Sequence, residues 1–264
     1  MNSITPEKIK KKLKTGFIGQ QLHYFEVTST NDIAKELASL NAKEGTIVIA
    51  EVQTCGRGRL GRDWLSPKGG IWLSIILRPE VKARDVFKIT FLTAVAVAKT
   101  IRKLFKLNVE IEWPNDVLID GKKVCGILTE TNIRGEAVDS VIVGIGINAN
   151  IDINFFPEHL KKTVTTLAAE VKKEVDKEKF LHTLLKELKA YYKMFKENNF
   201  APILEEWKRL NRLFGANVEV ISFNEKIMGQ AVNVDQNGAL VIKLADGTIR
   251  RVISGDVTLL QEKR

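Results

Sequence analysis

The chain has 264 residues, of which 44% are hydrophobic and 28% charged, and it carries a net charge of +9. Such a chain supports one large core, or a large domain beside a small one; no apolar run nears the roughly 20 residues that cross a bilayer, and no leader peptide is expected at the Lys-rich N-terminus. Two cysteines, Cys55 and Cys125, are too few for a disulfide framework and point to a reducing cytoplasm, while His23, His159 and His182 show no metal-ligand spacing.

Thr5-Pro6-Glu7 starts an expected short helix, with Pro at its first position and Ile9 and Leu13 on its apolar side. Leu22 to Val27 reads as a strand. Ser29-Thr30-Asn31-Asp32 offers caps for a helix that carries Ile33, Leu37 and Leu40 on one face. Thr46 to Val52 and Ile71 to Leu77 are β-rich, the second stopped by Pro79. A long helix is expected from about Asp85 to Phe105. Val109 to Trp113 and Val117 to Ile119 are short strands, and Asp120-Gly121 signals a hairpin returning from Lys123 to Glu130. Ser140 to Asn148 is a further strand. Residues 149–162 read as a loop, and helices follow at about 163–172, 176–198 and 201–212, the middle one capped by Asp176. From Asn217 to Leu260, short alternating runs are broken by Asn224-Glu225, Asn237-Gly238 and Asp246-Gly247, the pattern of a small β-barrel. Hairpins with helices between them predict an α+β fold, with a mixed sheet and packed helices over residues 1–214 and the small barrel over 215–264.

Gly56-Arg57-Gly58-Arg59-Leu60-Gly61-Arg62 is the most distinctive stretch. Glycine lets a backbone approach a ligand closely, and arginine offers planar, permanently charged donors suited to carboxylate and phosphate. A loop with both is built to close over an anion, mobile when empty and fixed when filled; the same composition also suits a surface turn or an RNA-binding patch. Gln53 and Thr54 end the strand before it, where polar groups line a crevice. Trp64 follows it, either as a core residue or as a face for a nucleobase. Trp113-Pro114-Asn115-Asp116 makes either a local Asx turn or a polar corner, with Asn115 on a ligand amide or phosphate and Asp116 on a metal ion. Lys123 enters the apolar strand Val124-Cys125-Gly126-Ile127-Leu128. Gly144-Ile145-Gly146-Ile147-Asn148 permits close backbone approach at a strand end, but lacks the third glycine and acidic partner of a dinucleotide fingerprint. The positive charge favours anionic partners of any class.

In this order, Ser29-Thr30-Asn31, Gln53 with the glycine–arginine loop and Trp64, Trp113-Pro114-Asn115-Asp116, Lys123 with Gly126-Ile127-Leu128, and Gly144-x-Gly146-x-Asn148 resemble the biotin protein ligases. Ser254-Gly255-Asp256-Val257 is similar to the end of that family's SH3-like domain. The resemblance runs from about Phe25 to the C-terminus. It implies a biotin–lipoate ligase catalytic domain, class II synthetase-like, followed by an SH3-like barrel. It further implies that biotin carboxylate attacks the α-phosphate of ATP, giving biotinyl-5′-AMP and pyrophosphate, and that a lysine of a biotin carboxyl carrier protein then takes the biotin. Mg²⁺ and a homodimer come with the resemblance. By position, Ser29, Thr30 and Gln53 hold the ureido ring. Gly56 and Arg57 cover biotin and reach its carboxylate and the α-phosphate, with Gly126 alongside, and Arg57 and Lys123 stabilise the reacting oxygens. Arg59 and Arg62 hold the intermediate and the triphosphate. Trp64 packs on adenine or on the loop that covers it, Asn115 contacts the adenylate, Asn148 contacts the adenine edge, and Asp116 belongs to the Mg²⁺ environment. Ala149 to Leu160 matches the adenylate-covering loop.

The chain departs from the family pattern in two places. The pattern has a lysine immediately before Trp-Pro-Asn-Asp, where this chain has Glu112. At 4 Å and an effective dielectric of 20, a carboxylate beside the α-phosphate is repelled by about 4 kcal/mol. Either Glu112 points elsewhere, or Lys123 and the arginines compensate, or nucleotide handling is impaired; impairment is the expectation. Only residues 1–28 precede the first motif, too few for the helix-turn-helix domain of some members, so no operator-specific DNA binding is expected. Two other readings stay open. One is a ligase for another acyl cofactor such as lipoate, against which the loop and Gln53 argue; the other is a non-catalytic nucleic-acid-binding module using the basic surface.

Overall fold

Strands that are apolar at nearly every position must be covered on both faces, and the two most apolar runs of this chain lie side by side in the middle of a sheet. The computed structural model describes residues 20–134, 137–222 and 225–260; the short helix expected near residues 5–13 lies outside the described residues. Strands β1 (Gln21–Val27), β2 (Ile47–Gln53), β3 (Ile71–Leu77), β4 (Val109–Glu112), β5 (Asp116–Ile119), β6 (Lys122–Arg134) and β7 (Ala137–Ile147) form one sheet in the order β1-β2-β3-β7-β6-β5-β4. Only β1 and β2 run parallel among these pairs, so the sheet is mixed. Asp120 and Gly121 both take positive φ (46° and 77°), as the tight hairpin between β5 and β6 requires.

Helix α1 (Thr30–Ser39) covers one face. Its Ala34 and Ala38 lie against Val48, Ile76 and Ile142, a small cluster separate from the main core. The other face carries Ile47, Ile49, Ile75, Val141, Val143 and Ile145 and is buried under α2 (Phe87–Phe105), α5 (Lys177–Lys196) and α6 (Ala201–Leu210). Phe91 of α2 stacks on Trp207 of α6 with centroids 4.3 Å apart. Two short helices, α3 (Glu158–Lys161) and α4 (Leu167–Val171), lie within and after the segment expected to be loop. Asp176 caps α5 as expected, its Oδ1 accepting from Lys179 N at 3.0 Å.

The C-terminal strands β8 (Asn217–Ser222), β9 (Glu225–Val234), β10 (Leu240–Lys243), β11 (Ile249–Val252) and β12 (Asp256–Leu259) form an antiparallel sheet in the order β11-β10-β9-β8-β12. This is the expected SH3-like unit with one correction: among the described residues β11 and β12 do not pair, so the barrel is not closed. β9 is long enough to serve β8 along its first part and β10 beyond, and the bulge between Val241 and Ile242 curls the sheet without closing it. Its inner side chains Val218, Val220, Ala231 and Ile242 continue the main core. The turn at Gly238 (φ 78°) sits where a Cβ would strike Phe87, and its carbonyl accepts from Trp113 Nε1 at 2.9 Å. The small sheet is thereby fixed against the Trp113–Asp116 motif.

One buried charge cluster joins the sheet to α5. Glu51 of β2 accepts from His23 Nε2 at 3.2 Å and from Lys177 Nζ at 3.0 Å, and these partners, His23 first, hold its carboxyl down at about 2 despite burial. A carboxyl depressed from 4.5 stabilises the fold fully above pH 4.5, and that contribution is lost as pH falls toward 2. Urea melts across pH are therefore expected to show stability falling in that window, and Glu51→Gln to flatten it. At pH 7 the same substitution strands Lys177 and is expected to cost about 3–5 kcal/mol.

Candidate functional site

Strand alternation prepares a bare floor. In β7, Val141, Val143, Ile145 and Ile147 enter the main core, so Ser140, Ile142, Gly144 and Gly146 lie on the face of α1. Gly126 of β6 stands opposite Gly146 in register. The Trp64 indole occupies the room these two glycines leave: a Cβ would lie 2.9 Å from its ring at Gly126 and 2.5 Å from Nε1 at Gly146. Asn31 fills the corresponding space over Gly144.

One end of the floor is polar and uncharged. Ser29 stands at the N-cap of α1 in extended backbone, but its side chain does not cap the helix. The Thr30 N–H and hydroxyl both donate to Gln53 Oε1, at 2.8 and 3.0 Å. Gln53 Nε2 donates to Ser66 Oγ at 2.8 Å. Ser74 Oγ lies 2.8 Å from Thr30 Oγ1 and donates to Asn31 Oδ1 at 2.6 Å. Ser29, Thr30, Asn31, Ser66 and Ser74 are all buried. A fully bonded, buried polar network is rigid, and this one presents amide and hydroxyl groups to a neutral polar ligand.

The glycine–arginine loop roofs the other end. Arg57 makes a two-pronged pair with Asp32 at 2.6 Å on each side, with Glu130 3.6 Å away; Asp32 holds its guanidinium more firmly protonated than usual. Arg59 donates to Asn115 Oδ1 at 3.2 Å, to Gly255 O at 3.3 Å and to Ser254 Oγ at 3.1 Å. Arg62 pairs with Asp256. The loop closes on itself through Gly58 N to Arg62 O at 2.7 Å and Trp64 N to Gly56 O at 2.9 Å. A loop expected to be mobile thus has a partner for each arginine, and two of the three arginines, Arg59 and Arg62, reach partners in the C-terminal unit. Lys123 Nζ lies 2.6 Å from Asp116 Oδ2 and 5.1 Å from the Trp64 ring centre. Ser29, Thr30, Gln53, Arg57, Arg59, Arg62, Trp64, Asn115, Asp116, Lys123 and Gly126 all border one cavity of about 130 Å³. Gly56 lies beneath the loop, packed against Trp64 and Ser66.

A second cavity, of about 450 Å³, opens on the far side of Trp64 and Lys123. Asn148 lines it, 2% exposed, with Nδ2 donating to Thr165 O at 3.1 Å. So do Phe156 and Leu160 from the segment expected to cover a nucleotide; Phe156 and Ile151 pack there on Trp72. Trp64 therefore lies on the glycine floor between the cavities, and its outer side packs against the Trp72–Ile151–Phe156 cluster, which includes residues of the expected covering loop. Trp64 Nε1, Asp116 Oδ1 and Asn148 Oδ1 are buried with no hydrogen-bond partner among the described residues. Each such atom costs about 1–3 kcal/mol, and the three mark where a ligand's donors and acceptors fit. Glu112 faces the second cavity, not the first, and lies 3.6 Å from Arg212 Nε. Partial burial raises its pKa, and Arg212 opposes that shift.

The sequence reading missed Asn31 as a site residue, and with it Ser66, Ser74, Asp32, Glu130 and Arg212. Ser74 had a signal: it is the one polar residue in Ile71–Leu77. No group of three or more His, Cys, Asp or Glu able to hold a metal occurs among the described residues. Cys55 is exposed and Cys125 buried, its thiol pushed up by burial.

Residues 24–148 match the biotin/lipoate A/B protein ligase family, and residues 213–260 match the biotin protein ligase C terminal domain. The chain is 38% identical over 258 residues to the bifunctional ligase/repressor BirA of Bacillus subtilis, covering 97% of this chain and 79% of that one. It is 31% identical over 218 residues to the biotin–[acetyl-CoA-carboxylase] ligase of Paracoccus denitrificans, covering 81% and 90%. A solved structure of the biotin protein ligase from Aquifex aeolicus in complex with biotin and ATP is similar over 92% of this chain and 99% of that one, with TM-score 0.79 and 31% identity.

The floor makes its own prediction. Gly146→Ala is expected to overpack Trp64 and lower stability by about 1–3 kcal/mol, with a changed near-ultraviolet tryptophan signal and an unchanged far-ultraviolet spectrum. An unaltered denaturation midpoint contradicts the close packing of Trp64 on Gly146.

Proposed function

This chain belongs to the biotin/lipoate A/B protein ligase family, and from that premise we infer that it is an ATP-dependent biotin–[acetyl-CoA-carboxylase] ligase. It joins biotin to AMP and passes the biotin to a lysine of an acceptor protein. One observation carries the assignment of roles: a single cleft is neutral and polar at one end, cationic at the other, and continues past Lys123 into a second cavity.

The polar end suits the ureido ring of biotin, whose carbonyl and two N–H groups need both donors and acceptors. Ser29, Thr30 and Gln53 supply them, with Asn31, Ser66 and Ser74 fixing their orientation. Lipoate has no such group to offer that network, which favours biotin. The biotin carboxylate then lies toward Arg57, Gly126 and Lys123. An oxygen of that carboxylate attacks the α-phosphorus of ATP; the bond to the bridging oxygen breaks, and pyrophosphate leaves. Charge grows on the phosphoryl oxygens, and Lys123, Arg57 and Arg59 are placed to stabilise it. Each of these cations already sits beside an acceptor (Asp116, Asp32, Asn115). The incoming anion therefore exchanges for existing partners rather than desolvating a free charge. In the second step a neutral lysine amine attacks the anhydride carbonyl and AMP leaves; the closed loop keeps water from doing the same.

The second cavity takes the nucleoside, with Asn148 Oδ1 free to accept from the adenine edge and Phe156 and Leu160 as its apolar wall. Arg62 borders both cavities and Asn115 borders the first; together they hold the adenylate. Mg²⁺ fits at Asp116, whose Oδ1 has no partner among the described residues, as one ligand beside the substrate's own phosphates. Bound there it would neutralise phosphate charge and orient the leaving pyrophosphate. The proposal extends to a biotin carboxyl carrier domain as acceptor, the cytoplasm as location, and a catalytic unit over 1–214 with an SH3-like unit over 215–264. It includes a homodimer, for which the edge strand β1 offers an open backbone edge among the described residues. No described helix is long and apolar enough to cross a membrane.

Incubation with ATP, Mg²⁺, biotin and a carboxyl carrier domain is expected to add one biotinyl group to the carrier, read by intact mass; an unmodified carrier overturns the reading. Lys123→Gln is expected to slow biotin-dependent pyrophosphate release about 10²–10³-fold.

A further inference from the structure

Glu112 sets an electrostatic problem for the second cavity. β4 and β5 place it directly opposite Asp116, which borders the first cavity, so Glu112 adds a carboxylate to the wall of the second cavity beside the one at its entrance. Lys123 is engaged with Asp116 at 2.6 Å, and Arg62 with Asp256. Arg212 is the ion-pair partner of Glu112, its Nε 3.6 Å from Glu112 Oε2.

Arg212 reaches this wall from the junction between α6 and the C-terminal sheet, and it is anchored on three sides. Its N–H donates to Ile111 O at 3.1 Å, next to a parallel bridge between Ile111 and Asn211. Its Nη1 donates to Gly121 O at 3.0 Å. A Cβ at Gly121 would come within 3.2 Å of Nη1, so the glycine of the hairpin turn gives the guanidinium its place. The side chain that faces Glu112 is therefore held rigidly, unlike a solvated surface arginine. The charged residues lining this cavity are Arg62, Asp63, Glu112, Lys123 and Arg212; without Arg212, Glu112 loses its ion-pair partner and only the more distant Lys123 opposes its charge.

We propose that Arg212 is a positioning residue for the nucleotide: it neutralises and orients Glu112, so that the second cavity accepts the nucleoside end of an anionic nucleotide without an unpaired carboxylate in its wall. The inference rests on the reading of the second cavity as the nucleotide's. It differs from the expectation that Glu112 impairs nucleotide handling, because the chain supplies the missing positive charge from a distant position in the sequence.

The test is steady-state pyrophosphate release by the full chain, with ATP and biotin varied separately. Arg212→Gln is expected to raise KM for ATP about tenfold while leaving KM for biotin within about twofold. The double variant Glu112→Gln with Arg212→Gln is expected to return KM for ATP to within about threefold of the unaltered chain, a rescue that a merely structural arginine does not allow. Should Arg212→Gln not fold, Arg212→Lys keeps the charge, and its KM for ATP is expected within about threefold. An unaltered KM for ATP in Arg212→Gln, a double variant as impaired as the single, a matching rise in KM for biotin, or a tenfold rise in Arg212→Lys overturns the inference alone. An unaltered chain that releases no biotin-dependent pyrophosphate overturns the ligase reading and this inference with it.

Discussion

Two neighbouring strands that carry glycine where their other faces carry isoleucine and valine cannot cover their own surface. Gly126, Gly144 and Gly146 leave the centre of the large sheet bare on the α1 side, while Val143, Ile145 and Ile147 anchor the same strands in the core beneath. The floor is therefore rigid and open together. Asn31 and Trp64 settle into the space where Cβ atoms would otherwise be. The N-terminus of α1 brings Ser29 and Thr30 to one side, and the arginine loop closes from above. Site geometry held by packed elements in this way is more accurate than geometry held by loops alone.

The cations of the site are all committed before any substrate arrives. Arg57 to Asp32, Lys123 to Asp116, Arg62 to Asp256 and Arg212 to Glu112 are pairs drawn from separate elements. Partly buried pairs of this kind add little net stability, since desolvation offsets attraction. Their effect is to fix where positive charge stands. The C-terminal sheet takes part in this: Ser254, Gly255 and Asp256 hold Arg59 and Arg62, and Gly238 receives the Trp113 indole. The small unit is thus a wall of the site as well as a separate sheet.

The strands, the long helices and the turn at Asp120-Gly121 were legible because periodicity, capping and turn chemistry are local. So was the set of residues that converge on the first cavity, since each belonged to a compact motif. Glu130 was not legible, because its meaning lies in Asn31 and Lys35 on another element, and Ser74 stood out only as the polar residue of an apolar strand, its partner Asn31 hidden. Helix α3 hid inside a segment that reads as loop, where Phe156 and Ile151 gain order by packing on Trp72, whereas α4 lies within the helix expected at about 163–172. The open edge between β11 and β12 depends on the bulge at Val241, which alternation alone does not reveal. Glu112 was legible as an anomaly, but Arg212, its answer, comes from the junction after α6, far along the chain.

The central claim is that ligand anions take over cations now held by the protein's own carboxylates above a glycine floor. The most direct measurement is a crystal structure of the chain with biotinyl-5′-AMP. The account predicts the ureido ring against Thr30 and Gln53, Trp64 still on Gly126 and Gly146, and the phosphate within hydrogen-bond reach of Arg57 and Lys123, both released from Asp32 and Asp116. Density for the phosphate elsewhere, with both ion pairs intact, contradicts it.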